Sequence, residues 1–163
     1  MVWRVPYEIL LTVKVPSMNL LSNPDLVWTH YKGGEAFDYP IDYSGAVLSA
    51  RADGHIDLLF RWAPNSYCHF HRHLTTTTST ILAGELHVID IEDGAEVGRK
   101  VRRAGEYAQK EPGDVHMEHG GGEGALVLFN LYAPDGRLSH VLAPDGSVMH
   151  TVMLDDVIKN GLT

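Results

Sequence analysis

Three histidines alternate along one short stretch, His69-Phe70-His71-Arg72-His73, and a fourth stands in Glu111-Pro112-Gly113-Asp114-Val115-His116. Alternate residues of a β-strand share a face, so His71 and His73 can hold their imidazoles side by side. A turn that returns His116 to them completes a three-nitrogen site for a divalent metal. His119 follows His116 by three residues, so a continuing strand points it to the other face. Cys68 falls by the same alternation on the face opposite His69, His71 and His73, and reads as a buried apolar filler.

The elements that must position these imidazoles are strands. Turn signals recur along the chain: Gly33-Gly34, Asp53-Gly54, Pro64-Asn65, Gly84, Asp93-Gly94, Gly105, Pro112-Gly113, Gly120-Gly121-Gly122, Asp135-Gly136 and Asp145-Gly146. Between them lie short runs rich in Val, Ile, Leu, Thr, Tyr and Phe, the pattern of an all-β sandwich or barrel. Ile56 to Trp62 reads as one strand, and Thr75 to Asp90 as one or two more, broken at Gly84. Ala125 to Leu131 is nearly all apolar, as a strand covered on both faces would be. Ala-Pro-Asp-Gly occurs at 133–136 and again at 143–146, which predicts a local strand–turn–strand meander. The one helix with clear signals is the last, Leu154 to Gly161, with acids in its first turn and glycine past its end.

Bulk properties narrow the function classes. A chain of 163 residues fits a single domain (1–163) that buries a core without disulfides. The core is expected over about 45–152, with the proline-containing segment 1–44 supplying edge strands and loops that can pair with a second chain. A homodimer or higher homo-oligomer is therefore expected. The net charge of −8 and the lack of a basic stripe argue against nucleic acid or an anionic membrane as the partner. Arg99, Lys100, Arg102 and Arg103 read as one exposed hairpin. The single cysteine excludes an intrachain disulfide and suits a reducing compartment. No run reaches the roughly 18 apolar residues that span a bilayer. The Ile9-Leu10-Leu11 run is too short for a signal sequence, so a cytoplasmic location is expected.

The histidine spacing resembles the two motifs of the cupin superfamily, G-x5-H-x-H-x3-E-x6-G and G-x5-P-x-G-x2-H-x3-N. This chain reads Asn65-x5-His71-x-His73-x3-Thr77-x6-Gly84, then Gly105-x5-Glu111-x-Gly113-x2-His116-x3-Gly120. The resemblance covers about residues 55–132 and implies a single cupin-type β-barrel (a double-stranded β-helix or jelly roll) with a short C-terminal helix. It implies His71, His73 and His116 as metal ligands. Taking His69 and His71 as the pair instead would put Leu82 where the motif has glycine, so His69 is left as a pocket residue or an exposed histidine with no role. Asn65 replaces a turn glycine, a position asparagine tolerates. Thr77 replaces the family's carboxylate ligand, and no Asp or Glu lies between Asp57 and Glu85 to restore it.

Among cupins, the chain looks most like the three-histidine dioxygenases that cleave carbon–carbon bonds in β-diketones or hydroxylated aryl ketones. That resemblance implies Fe(II), although imidazoles also accept Zn, Ni, Cu or Mn. Without the acid, a divalent ion on three neutral imidazoles keeps its full charge of +2, which favours a small, anionic, chelating substrate. Either Thr77 or water would complete the site. Glu85 is a candidate carboxylate to orient a ligand imidazole, and Tyr107 a candidate hydrogen-bond donor to substrate. Two other classes stay open on the same barrel: a non-catalytic binder of a small molecule or metal, and a Zn- or Ni-dependent isomerase, lyase or hydrolase.

Overall fold

The computed structural model describes residues 17–35 and 37–160. The expectations that fall on residues 1–16 and on Gly161 lie outside the described residues. Among the described residues, ten strands and one helix follow in the order β1 (Thr29–Lys32), β2 (Asp42–Ala50), β3 (His55–Trp62), β4 (His71–His73) and β5 (Thr76–Glu92). Next come β6 (Ala95–Arg103), β7 (Tyr107–Lys110), β8 (Val115–Tyr132), β9 (Arg137–Leu142), β10 (Val148–Met153) and α1 (Leu154–Asn160). The architecture is all-β, and its sheet curls around one apolar core.

The strands pair antiparallel in the order β1-β2-β3-β8-β4-β9-β10, and β5 runs along β8 while also holding β6 and β7. Ile56, Leu59, Ile81, Leu86 and Val127 are fully buried inside. The basic cluster at 99–103 lies on β6, which is exposed along most of its length. Asp155 and Asp156 open α1, and Leu154 and Val157 tuck under the barrel. Among the described residues, no helix is long and apolar enough to cross a membrane.

Two expected breaks are instead continuous strands. β5 passes through Gly84 with register shifts against β8 between Ile81 and Ala83 and between Gly84 and Leu86. Gly84 sits at φ +71° against the backbone of Gly124, so a bulge and a close approach use the glycine here, not a turn. β8 continues through Gly120-Gly121-Gly122, with residues 121–124 bulging out of register between the pairs Leu86–Gly120 and Gly84–Ala125. A side chain at Gly120 would collide with Trp62 and Ala63, so this glycine serves packing. Asn65 does take the left-handed conformation, at φ 56°.

Three-residue β4 brings the two histidine motifs together. It lies between β8 and β9, with His71 paired to His116 on one side and to Val141 on the other. The Pro112-Gly113-Asp114 turn is tied to it at both ends of one residue. The Gly113 N–H donates to the His73 carbonyl (2.7 Å), and the His73 N–H donates to the Asp114 carbonyl (2.9 Å). A strand this short has little pairing of its own, so these bonds set where the imidazoles point.

Candidate metal centre

His71, His73 and His116 converge. The Nε2 of His73 lies 3.3 Å from that of His71 and 3.3 Å from that of His116. Those separations match imidazole nitrogens sharing one ion at about 2.1 Å each. His116 and His73 are buried, 1% and 6% exposed, and His71 is part-buried.

Each ring is held from behind by its other nitrogen. The Nδ1–H of His71 donates to the His69 carbonyl (2.8 Å). That of His73 donates to Thr77 Oγ1 (3.0 Å), whose own hydroxyl donates to the Thr75 carbonyl (3.2 Å). That of His116 donates to Asp114 Oδ2 (2.5 Å), and Lys110 Nζ braces the same carboxylate at 2.9 Å. With every Nδ1 carrying the proton, each neutral ring turns an Nε2 lone pair inward. With each Nδ1 engaged behind its ring, the three Nε2 atoms converge on one point, a donor set that fits a divalent metal once His116 gives up its second proton.

Charge tuning separates the three rings. Burial, with the neighbouring imidazoles, pushes His73 down to about 3 and lowers His71, which keeps both neutral. Burial also opposes charge on His116, but its hydrogen bonds to Asp114 and Glu118 outweigh that and push it up to about 9. Asp114 is held well below the usual carboxylate range by its bonds to His116 and Lys110.

A fourth side chain, missed by the sequence reading, reaches the cluster. Glu118 is 6% exposed, with Oε1 3.3 Å from His116 Nε2 and Oε2 3.8 Å from His71 Nε2. Burial would raise this carboxyl, yet the hydrogen bond and charge of the imidazoles hold it well below its ordinary value. The signal was present: His116 and Glu118 alternate on β8 just as His71 and His73 do on β4. The acid belongs to the second motif and not to the first. A carboxylate therefore does stand beside the imidazoles, contrary to the expectation of three neutral ligands and an ion with its full +2 charge.

Cys68 is a second correction. Residues 68–70 have no strand pairing, so alternation does not govern them. Cys68 Sγ lies on the histidine side, 3.3 Å from Glu118 Oε2, and accepts the Glu118 backbone N–H at 3.2 Å. Burial and the adjacent Glu118 raise this thiol well above its usual range, which keeps it a neutral donor.

His71 and His73 open onto a cavity of about 270 Å³, with His116 buried behind them. Tyr43, Phe60, Trp62, Phe129 and Leu138 form much of its wall, with His71, His73, Thr77 and Glu118 at the polar end. His69 reaches this wall and accepts the Tyr43 hydroxyl at 2.8 Å. Thr77 is 2% exposed and braces His73 from behind. Two candidates fall elsewhere. Glu85 bonds His87 Nε2 at 2.7 Å and Arg103 Nε at 3.3 Å, outside the cavity wall. Tyr107, 63% exposed, stands on β7 and is no part of that wall. His119 packs on Tyr67, ring centres 4.4 Å apart, on the outer face of β8.

No protein-family model matches the chain, and no curated protein does either. Solved structures do. One, from Methylibium petroleiphilum PM1 and assigned as an acetylacetone dioxygenase, superposes with a TM-score of 0.63 at 16% identity over 85% of this chain and 90% of that one. An acetylacetone dioxygenase from Acinetobacter johnsonii gives 0.60 at 15% identity, covering 78% and 81%. A cupin 2 conserved barrel domain protein from Rhodopseudomonas palustris gives 0.58 at 15%, covering 75% and 81%. At such identities the likeness speaks for the fold. The chain has the same barrel fold as these cupin structures.

Proposed function

We propose that this protein is a metal-dependent dioxygenase that cleaves a carbon–carbon bond in a small diketone or hydroxyketone. The observation that carries the reading is the convergence of three Nε2 atoms, two of them from rings that line the polar end of a mostly apolar cavity. The same barrel supports acetylacetone dioxygenases among its structural neighbours. His71, His73 and His116 would hold Fe(II), which when bound supplies Lewis acidity and one-electron chemistry toward O2. Asp114, Thr77 and the His69 carbonyl fix the rings so that nothing reorganises as the substrate arrives. Phe60, Trp62 and Phe129 exclude water and pack the carbon skeleton, while the paired Tyr43 and His69 offer a polar contact on the side wall.

Oxygen uptake by Fe(II)-loaded protein with β-diketones and hydroxyacetophenones tests this directly. The expected result is one O2 consumed per ketone, with label from ¹⁸O2 in both fragments. One observation favours a second reading. The Glu118 carboxylate beside the imidazoles also suits a Zn- or Ni-dependent lyase, isomerase or hydrolase. Turnover of Zn or Ni protein without oxygen, and no oxygen uptake across the panel, would replace the first reading with the second.

A further inference from the structure

We infer that Glu118 supplies the carboxylate of the metal centre, in place of the acid that the first cupin motif lacks at Thr77. The inference rests on the metal-binding reading above and names the donor that completes it. The register of β4 and β8 makes the substitution possible. His71 pairs with His116 across the two strands, and the next inward residue along each is His73 on β4 and Glu118 on β8. Glu118 thus lies beside the histidine cluster, 3.3 Å from His116 Nε2 and 3.8 Å from His71 Nε2, the ring it shares with Cys68 in a second group of possible ligands. The carboxylate comes from the second motif instead of the first.

The charge balance suits a metal cation there, in exchange for the proton on His116. Glu118 is buried, and among the described residues its ion-pair partners are His71 and His116 alone. An anion this deep in a protein is costly unless a positive charge meets it. Once those imidazoles bind a metal they are neutral, and the metal becomes the positive charge. Three imidazoles and one carboxylate then reduce a divalent ion to +1 and leave a six-coordinate ion two free positions instead of three. Thr77 cannot compete for this role, because its hydroxyl lies on the Nδ1 side of His73 and is engaged by Thr75. Cys68 is the positioning residue. Its thiol donates to Oε2 and its sulfur accepts the Glu118 N–H, which leaves Oε1 turned toward the imidazoles.

Co(II) alone is the probe, titrated into the full-length metal-free protein and followed by its visible d–d bands. Wild type is expected to take up one Co(II). Glu118→Gln, which keeps the shape and removes the charge, is expected to bind about 10–100-fold more weakly and with shifted bands. Glu118→Asp, which keeps the charge but withdraws the oxygen, should fall between them. Circular dichroism of the metal-free forms shows whether each variant is folded, and either variant alone suffices for the comparison. Wild-type affinity and unchanged bands in a folded Glu118 variant would overturn the inference while leaving the three-histidine site intact. Failure of wild type itself to take up Co(II) would instead overturn the metal reading on which the inference depends.

Discussion

β8 carries two histidines that each face a histidine on a neighbouring strand, and the two pairs behave differently. On its inner face His116 meets His71 of β4; on its outer face His119 meets His87 of β5, with ring centres 5.3 Å apart. In the inner pair every Nδ1 has an oxygen acceptor and every Nε2 points to a common centre. In the outer pair His87 Nε2 is bound to Glu85, and Nδ1 of both rings has no hydrogen-bond partner among the described residues. The glutamates differ likewise. Glu118 is buried among imidazoles, whereas Glu85 is part-exposed and answered by Arg103. Proximity of histidines is common to both places; only the inner one has its rings oriented from behind by dedicated acceptors. That orientation, more than the count of imidazoles, marks a site for a cation.

The sharpest way to break this contrast is to delete one histidine from each face. His73→Ala should lose nearly all bound metal, from about one ion per chain to below about 0.1 by elemental analysis. His119→Ala should retain it. Equal loss in both would remove the distinction between the faces.

Proton competition comes next. His73 is neutral down to about pH 3 and burial lowers His71 in the same direction, but His116 holds a proton up to about pH 9 without metal. Zn(II) affinity should therefore rise about tenfold per pH unit from pH 6.5 to 9, where ordinary imidazoles would already have reached a plateau. Competition titration with a chromophoric chelator reads the slope. The metal-free protein gives the matching stability curve. The raised His116 contributes stability that is complete below about pH 6.5 and lost as pH climbs toward 9. The depressed His73 contributes stability present above about pH 6.5 and lost as pH falls toward 3. Thermal melts of metal-free protein should peak between those limits, near pH 6.5.

Smaller effects follow from the groups behind the rings. Asp114→Asn should weaken Zn(II) binding about 10–100-fold, and Thr77→Val by about tenfold or less, since a hydroxyl orients but carries no charge. The smallest change is expected for Glu85→Gln and Tyr107→Phe. Each should leave metal content unaltered and the melting temperature close to that of wild type, as surface substitutions do. A loss of metal in Glu85→Gln would return that residue to the site.

Much of the fold was legible because its signals are local. Alternation marked Ile56 to Trp62, the Pro-Asp-Gly turns flanked β9, and the acids of the first turn announced α1. The glycines misled, since a glycine used for close packing looks the same in sequence as one used for a turn. Gly84 and Gly120 both belong to the first kind. The misplacement of Glu85 has the same origin. Thr77 and Glu85 share a parity, so an unbroken strand would set them on one face. The bulges between Ile81 and Leu86 reverse the parity, and Leu86 and Val88 turn inward in place of Glu85 and His87.

What the sequence by itself determined is the set of donors and their spacing along each strand: His71 and His73, then His116, with Glu118 two residues beyond. Donor type and strand periodicity are properties of the chain, and they survive any arrangement of the rest. Only the tertiary structure decided which of the acids joins the histidines. That choice depends on the register of β4 against β8, on bulges in β5, and on the irregular path at Cys68. Each of these is set by pairing between segments distant in the chain, and by packing against Trp62 and Gly124, where no local signal reaches. The three alternating histidines were visible at once; the carboxylate that meets them became visible when β8 was laid beside β4.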